Sequence, residues 1–138
     1  MNCMFSHILV LLDCTPVDDA IVSKILDMVT GQNCKVTLVH VVHSHTIDQD
    51  RVFKKKTDDC ISERIAQFVA AGINVTSLIL SGEPEIELVK EINKGTYDLV
   101  AMATHGHKFF SDVLYGSVSD HLKHEVAVPL LLVRGTPL

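Results

Sequence analysis

The sequence predicts an α/β fold: a single doubly wound sheet of five parallel strands with helices on both faces. Five short, uncharged apolar runs recur along the chain, which is typical of strands that are covered on both sides. Apolar residues at helical spacing fill the intervals between these runs, and this alternation of strands and helices indicates right-handed crossovers in a parallel sheet. The apolar content of 47% fits a sheet that lies between two layers of helices.

The first strand and helix lie before Gly31. The run HILVLL (7–12) predicts a buried strand that stops at Asp13. Thr15 and Pro16 then supply an N-cap and a first helical residue, with Asp18 and Asp19 in the first turn, where carboxylates favour the helix dipole. Gly31 ends the helix, whose inner face carries apolar residues at helical spacing: Ile21, Ile25, Met28 and Val29.

The second unit runs from position 36 to Gly72. The run VTLVHVV (36–42) is a strand, and a polar segment from 43 to about 50 follows it. A helix is expected after that segment, with Gly72 as its terminator. Its inner face is Ile61, Ile65, Phe68 and Val69.

The third unit and the fourth strand follow the same pattern. The run INVTSLIL (73–80) predicts a strand, and Pro84 suits the first turn of the helix after it. That helix ends at Gly95. The run LVAMA (99–103) then predicts a fourth strand that is buried on both faces.

The segment after the fourth strand has features of an anion-binding loop. Ser117 and Asp120 have the spacing of a capping box, which predicts a last helix from Ser117 to about Glu125. The first-turn amides of a helix lack internal acceptors, so a phosphate beside Gly116 and Ser117 would satisfy them. A plain connecting loop before a capped helix is the alternative. The run PLLLV (129–133) supplies the last strand, whose proline is tolerated at a strand start or an edge.

Three strand ends are expected to converge on one ligand site. Ligands of such sheets bind beyond the carboxyl ends of the strands, where the strand order reverses. If the first and fourth strands flank that point, Asp13, Val41 and the segment 103–106 meet there. Asp13 would accept hydrogen bonds from ribose hydroxyls, Val41 would bracket an adenine ring, and the long loop with Gly116 and Ser117 would hold phosphates. The alternatives are a turn or capping carboxylate at Asp13 and a plain core position at Val41.

Length and charge limit the classes of partner. The 138 residues are expected to form one domain, residues 1–138. A net charge of -5 gives no general attraction to nucleic acid or to an anionic membrane surface. No apolar run approaches the ~20 residues needed to cross a bilayer, and the N-terminus lacks the features of a secretion signal. A cytoplasmic protein is therefore expected.

The cysteines and histidines predict neither a disulfide nor a metal site. The four cysteines contain no C-x-x-C pair, so free thiols are expected, with Cys34 in the core. An exposed, reactive thiol at Cys14 is an alternative. Five histidines could approach one another at the strand ends, but none has a recognised zinc spacing and strand alternation directs His40 away from Val41. These histidines are His40, His43, His45, His105 and His107.

Six motifs follow one another along the chain. They are HILVLLD, LVHVV, the Gly82-x-Pro84 turn, YDLVAMATHG, GSVSD and PLLLVR. Together they resemble the universal stress protein family over essentially the whole length. The nucleotide-binding branch of that family carries Gly-x2-Gly-x9-Gly-Ser, and this chain keeps its spacing through Gly106, Gly116 and Ser117.

The chain departs from the family pattern at two positions. Ala103 stands where the motif has its first glycine, and its methyl group either crowds the ribose or is accommodated. Cys14 replaces a usual glycine after the aspartate, which bears on the local backbone conformation.

The resemblance implies an adenine nucleotide alpha hydrolase-like fold with strand order 3-2-1-4-5 and a homodimer formed through the last strand. It also implies a regulatory or stress-response module that binds ATP, with Mg²⁺ on the phosphates. The expected binding residues are Leu12, Asp13, Cys14, Val41, Met102, Ala103, His105, Gly106, His107, Gly116, Ser117, Val118 and Ser119.

Two alternatives to ATP binding stay open. One is a dimeric interaction module of the same family that binds no nucleotide, with its pocket filled by Phe109 or Phe110. The other is slow ATP hydrolysis, for which His105 and His107 are the candidate phosphate contacts and no nucleophile and base are evident. The sequence does not identify a regulatory protein partner.

Overall fold

A five-stranded parallel sheet forms the centre of the fold. The computed structural model describes residues 4–42, 47–104 and 110–135, and within them all side chains except those of 47–50, 53 and 110–117. The strands are β1 (His7–Leu11), β2 (Lys35–Val42), β3 (Asn74–Ser81), β4 (Leu99–Thr104) and β5 (Leu130–Arg134). Neighbouring strands are parallel, in the order β3-β2-β1-β4-β5. The α/β class and the strand order are thus confirmed.

Four helices cover the two faces of the sheet. They are α1 (Asp18–Val29), α2 (Ile47–Ala70), α3 (Pro84–Ile92) and α4 (Phe110–Glu125). Helices α1 and α2 pack on one face, and α3 and α4 pack on the other. Each face therefore has its own hydrophobic core.

Side-chain alternation along the central strands divides residues between these two cores. In β4, Ala101 and Ala103 belong to the core beneath α1 and α2, whereas Val100 and Met102 belong to the core beneath α3 and α4. Residues 8–10 of β1 have no exposed surface, because β1 is paired on both edges and covered on both faces. Burial of each such aliphatic side chain contributes about 1.5–3 kcal/mol.

Two helices begin earlier than the sequence predicts. Helix α2 begins at Ile47, inside the segment expected to be a polar connection. Helix α4 begins at Phe110, so the prediction of a helix start at Ser117 was wrong. A single glycine inside a helix costs only about 1 kcal/mol relative to alanine, so Gly116 does not interrupt a segment whose other residues favour a helix. The spacing of Ser117 and Asp120 falls inside a continuous helix and does not cap one.

Helix α1 begins two residues later than predicted, whereas α3 begins as predicted. Helix α1 begins at Asp18, with Val17 at the N-cap and no capping side chain. The Thr15 carbonyl accepts the Asp18 amide at 3.0 Å, so Thr15 and Pro16 form a turn before the helix and the predicted Thr15 cap was wrong. Pro84 lies in the first turn of α3, as predicted.

No helix in the described ranges is long and apolar enough to cross a membrane.

Candidate functional site

A small recess lies beyond the carboxyl ends of β1 and β2. Its volume is about 70 Å³. The strand order reverses between β1 and β4, because the chain adds β2 and β3 on one side of β1 and places β4 and β5 on the other side. The recess lies beside this point of reversal, where ligands of such sheets bind. The lining is mostly apolar: Leu11, Leu12, Asp13, Val39, His40, Val41, Pro84, Leu88 and Val118.

The structure brings Asp13 and Val41 together at this recess. Both residues are half-buried. The hydroxyl of Thr15 donates a hydrogen bond to Asp13 Oδ2 at 3.0 Å, so part of the Asp13 carboxylate is engaged within its own turn. Val41 also packs against the core beneath α3 and α4. The recess therefore combines an apolar wall with one carboxylate at its rim.

A buried carboxylate shapes the loop that carries Asp13. Both oxygens of Asp18 accept backbone hydrogen bonds, from the amide of Asp13 at 2.9 Å and from the amide of Cys14 at 2.7 Å. The Asp18 side chain has no exposed surface. Burial raises the pKa of Asp18 to about 6, although the two amide hydrogen bonds oppose this shift. Asp18 thus fixes the backbone from which Asp13 projects.

Sequence reasoning missed this role of Asp18. It assigned the residue to the first helical turn, where a carboxylate favours the helix dipole. The carboxylate instead reaches back over the preceding turn to the end of β1. An acidic residue seven positions after a strand end, in a loop that turns sharply, is the signal that could have indicated it.

Cys14 forms a disulfide with Cys60 of α2. The prediction of free thiols was therefore wrong for this pair, and so was the alternative of a reactive thiol at Cys14. The fold places the two Cα atoms 5.7 Å apart although the residues are separated by 46 positions. Cys34 is buried in the core beneath α1 and α2, as predicted. Cys14 also has a backbone φ of 60°, the left-handed conformation that glycine adopts most easily.

Leu12 and His40 connect β1 to β2 at the edge of the recess. The amide of Leu12 donates to the carbonyl of Val39 at 2.8 Å, which extends the β1–β2 ladder by one bond beyond β1. His40 Nδ1 lies 2.7 Å from the carbonyl of Leu12, and since a carbonyl only accepts, this nitrogen carries the proton. Leu12 is buried and contributes its backbone to this edge.

The last residues of β4 are divided between the two faces of the sheet. Ala103 is buried in the core beneath α1 and α2, which is the face of the sheet away from α3 and α4. Its methyl group packs in that core and does not line the recess. Met102 is buried on the other face, in the core that also contains Val118 of α4. Ser119 is buried one position further along α4.

The remaining predicted binding residues divide into two groups. Gly116 and Ser117 lie inside α4, more than a turn beyond its start, so their amides belong to the helix interior. This position removes the helix-terminus reason for placing a phosphate beside them. Three predicted residues lie outside the described part of the chain: His105, Gly106 and His107.

One group of possible metal ligands occurs among the described residues. Ligand atoms of Cys14, Asp18 and Cys60 lie within 4.8 Å of one another. The two sulfurs are joined to each other, so this form offers no thiolate to a metal. Among the histidines considered in the sequence, His40 is hydrogen-bonded to Leu12, and the others lie outside the described ranges: His43, His45, His105 and His107.

The comparison with known families agrees with this architecture. A model described as the universal stress protein family matches residues 4–134. The chain belongs to the universal stress protein family. No curated protein has a significantly similar sequence.

Solved structures of other proteins share the fold of this universal stress protein. The structure of hypothetical protein MJ0577 is 22% identical, with a TM-score of 0.77 over 98% of this chain and 99% of that chain. An Arabidopsis thaliana universal stress protein family protein with AMP bound is 13% identical, with a TM-score of 0.71 over 95% and 92%. The Archaeoglobus fulgidus universal stress protein in complex with dAMP is 14% identical, with a TM-score of 0.70 over 94% and 98%. At these identities the likeness shows the fold.

Proposed function

We propose that this universal stress protein binds an adenine nucleotide, ATP in the first place, at the recess beyond β1 and β2. The observation that carries the proposal is the meeting of Asp13 and Val41 at one recess beside the reversal of the strand order. Two structural relatives, from Arabidopsis thaliana and Archaeoglobus fulgidus, hold AMP and dAMP. In this proposal the protein is a regulatory or stress-response module whose partner contacts depend on bound nucleotide.

The chemistry of the recess assigns the parts of the ligand. The apolar side chains of Val39, Val41 and Leu88 suit the faces of an adenine ring. The Asp13 carboxylate accepts hydrogen bonds from ribose hydroxyls. At about 70 Å³ the recess is smaller than the ~300–1,000 Å³ of typical ligand sites, so it holds part of the base only. The ribose and phosphates extend along the carboxyl edge towards β4.

The phosphate contacts of this proposal rest on the sequence motif. They involve the segment from Ala103 to His107, with Gly116, Ser117 and Ser119 of α4. Ala103 participates through its backbone, because its methyl group packs in the opposite core. ATP brings Mg²⁺ to such a site on its own phosphates, which already supply oxygen ligands.

Isothermal titration of the full chain with ATP, ADP, AMP and cAMP tests the proposal. Asp13→Asn keeps the size of the side chain and removes its charge, so it should weaken binding about tenfold or more, as expected for a hydrogen bond to a charged group. Asp58→Asn makes the same change at an exposed position of α2 and is the matched control. Absence of heat with every nucleotide at millimolar concentration would remove the proposal.

The second candidate is a dimeric interaction module that binds no nucleotide. The small volume of the recess favours it, as does the position of Gly116 and Ser117 inside α4. Of the two side chains considered as plugs, Phe109 lies outside the described residues and Phe110 begins α4. Ala103→Gly separates the candidates: nucleotide binding gained by this variant and absent from the parent would support the interaction module.

A homodimer through β5 belongs to both candidates. β5 pairs only with β4 and so lies at an edge of the sheet, and its Leu132 is 44% exposed. An apolar edge strand readily pairs with a second chain. Light scattering of the parent and of Leu132→Asp tests this: the parent should be a dimer, and the variant should dissociate at micromolar concentration. A monomeric parent would contradict the dimer. Slow ATP hydrolysis is the weakest alternative, and phosphate release by the parent would reveal it.

A further inference from the structure

The Cys14–Cys60 disulfide joins the β1–α1 loop, whose Asp13 lines the recess, to helix α2 on the other face of the sheet. Cys14 directly follows Asp13, at the end of β1. Cys60 lies on α2, the helix that comes after β2, and the last residues of β2 line the same recess through His40 and Val41. The disulfide therefore ties the loop that carries Asp13 to the helix that follows the neighbouring strand.

Small molecules can reach this disulfide. Cys14 and Cys60 are each half-buried, and both border a surface cavity of about 300 Å³. The rest of the lining is Pro16 and four polar or charged residues: Thr15, Asp19, Glu63 and Arg64. A cavity of this size admits a thiol of a few heavy atoms beside the sulfurs.

The backbone at Cys14 requires support to keep its shape. A residue with a Cβ adopts the left-handed conformation at an energetic disadvantage, and Cys14 has a φ of 60°. Two features hold it there: the hydrogen bonds of the Asp13 and Cys14 amides to Asp18, and the covalent bond to α2. Reduction removes the second feature and leaves the first.

We propose that the Cys14–Cys60 bond is a site of reversible thiol–disulfide exchange with small thiols, and that its redox state sets the affinity of the recess. The second part of this inference rests on the proposed nucleotide binding. The oxidised form preorganises Asp13 and binds nucleotide more tightly. The reduced form must restore the left-handed turn on binding and binds at least about fivefold more weakly.

The exchange is balanced by two equivalents of thiol. The thiolate of the first small thiol attacks one sulfur, forms a mixed disulfide, breaks the Cys14–Cys60 bond and releases the other cysteine as a thiolate that takes a proton from water. The second thiolate attacks the small-molecule sulfur of the mixed disulfide and releases the remaining cysteine, which is protonated in turn. The protein gains two electrons and two protons, and two small thiols become one disulfide.

The charges around the cavity select the thiol. Two carboxylates and one guanidinium line it, since Arg64 pairs with Asp19 at 2.7 Å and Glu63 lies beside them. The Asp18 carboxylate lies within 4.8 Å of both sulfurs. A thiol with an ammonium group, such as cysteamine, is therefore favoured over one with a sulfonate.

The first experiment is independent of nucleotide. The native full chain is treated with cysteamine, 2-mercaptoethanol or 2-mercaptoethanesulfonate at equal thiolate concentration, and released thiols and mixed disulfides are followed by mass spectrometry. Rates are normalised to a small solvent-exposed disulfide. We expect reduction without denaturant, fastest with cysteamine, and the same result for the control Cys34→Ser. A disulfide that resists all three thiols until the chain is unfolded would overturn the exchange site.

The second experiment tests the coupling. Hydrogen exchange at the Asp13 and Cys14 amides should be faster in the reduced protein and in Cys60→Ser than in the oxidised protein, whether or not nucleotide binds. Oxidised protein should bind ATP at least about fivefold more tightly than reduced protein, and Cys60→Ser should resemble the reduced form under both conditions. Equal exchange and equal affinity in the two redox states would overturn the coupling. Absence of ATP binding in every form, with redox-dependent amide exchange, would remove the proposed function and leave the exchange site supported.

Discussion

The buried carboxylate of Asp18 gives the protein a pH dependence that a single substitution should remove. Burial raises its pKa from an ordinary 3.8 to about 6 in the folded chain. Between these two values the folded state binds a proton more tightly than the unfolded state. The contribution of Asp18 to the free energy of unfolding is therefore fully present below pH 4 and is lost as the pH rises through 6.

The size of this effect follows from the shift. One pKa unit corresponds to 1.36 kcal/mol, so a shift of about two units amounts to about 3 kcal/mol. Asp18→Asn removes the titration, and its amide oxygen accepts only one of the two backbone hydrogen bonds. The variant should be less stable than the parent at pH 4, and the difference between them should fall by about 2–2.5 kcal/mol by pH 7.5, because part of the full change occurs below pH 4.

Urea unfolding of parent and variant with the disulfide intact, at intervals from pH 4 to 7.5, measures this difference. Other titrating groups are common to both proteins and cancel in the comparison. Asp58→Asn is the matched control, since an exposed carboxylate of α2 should change the free energy of unfolding by no more than about 0.5 kcal/mol. A parent–variant difference that stays constant within 1 kcal/mol across this range would refute a shifted Asp18.

Three further predictions concern stability. Reduction of the disulfide, or Cys60→Ser, should lower the free energy of unfolding by about 2–4 kcal/mol, because the bond closes a loop of 46 positions. The melting temperature should then fall by roughly 7–14 °C, and an unchanged melting temperature would contradict the prediction. Tyr97→Phe removes a hydrogen bond of 2.6 Å from the phenol to the Glu91 carboxylate and should cost about 1.5–3 kcal/mol in urea unfolding, and an unchanged free energy of unfolding would contradict it. Gly135→Ala would place its Cβ against Cγ2 of Val17 and should lower the free energy of unfolding by about 1–3 kcal/mol. Val17→Ala in the same chain should recover part of this loss, and additive effects of the two substitutions would exclude the contact.

The strands were predictable because their signal is local. The runs that became β1 and β4 are uncharged and continuous, and both strands are buried on both faces at the centre of the sheet. The predicted ends of these two strands differ from the observed ends by no more than one residue. The reversal beside β1 followed from the family resemblance and fixed the edge at which Asp13 and Val41 meet.

The starts of two helices were predicted wrongly because the residue types found there are common both in loops and in helices. Gly116 and Ser117 have the composition of a loop and a cap, but the apolar residues before them extend α4 back to Phe110. The polar composition near position 47 concealed the start of α2, since an exposed helix surface and a loop look alike in sequence.

Contacts that depend on how the chain folds back on itself left no recognisable pattern in the local sequence. Cys14 and Cys60 are distant in the chain and lack any paired-cysteine spacing, so only the packing of α2 beside the β1–α1 loop brings them together. The same is true of Asp18, whose role depends on the direction in which the loop turns back over it.

The placement of Ala103 bears on which side chains shape the recess. Its methyl group fills space in the core beneath α1 and α2 and does not line the recess. The recess is lined instead by residues at the ends of β1 and β2 and by residues of α3 and α4. A substitution at position 103 therefore acts on the recess through the backbone of β4, whereas one at Asp13 or Val41 changes its wall directly.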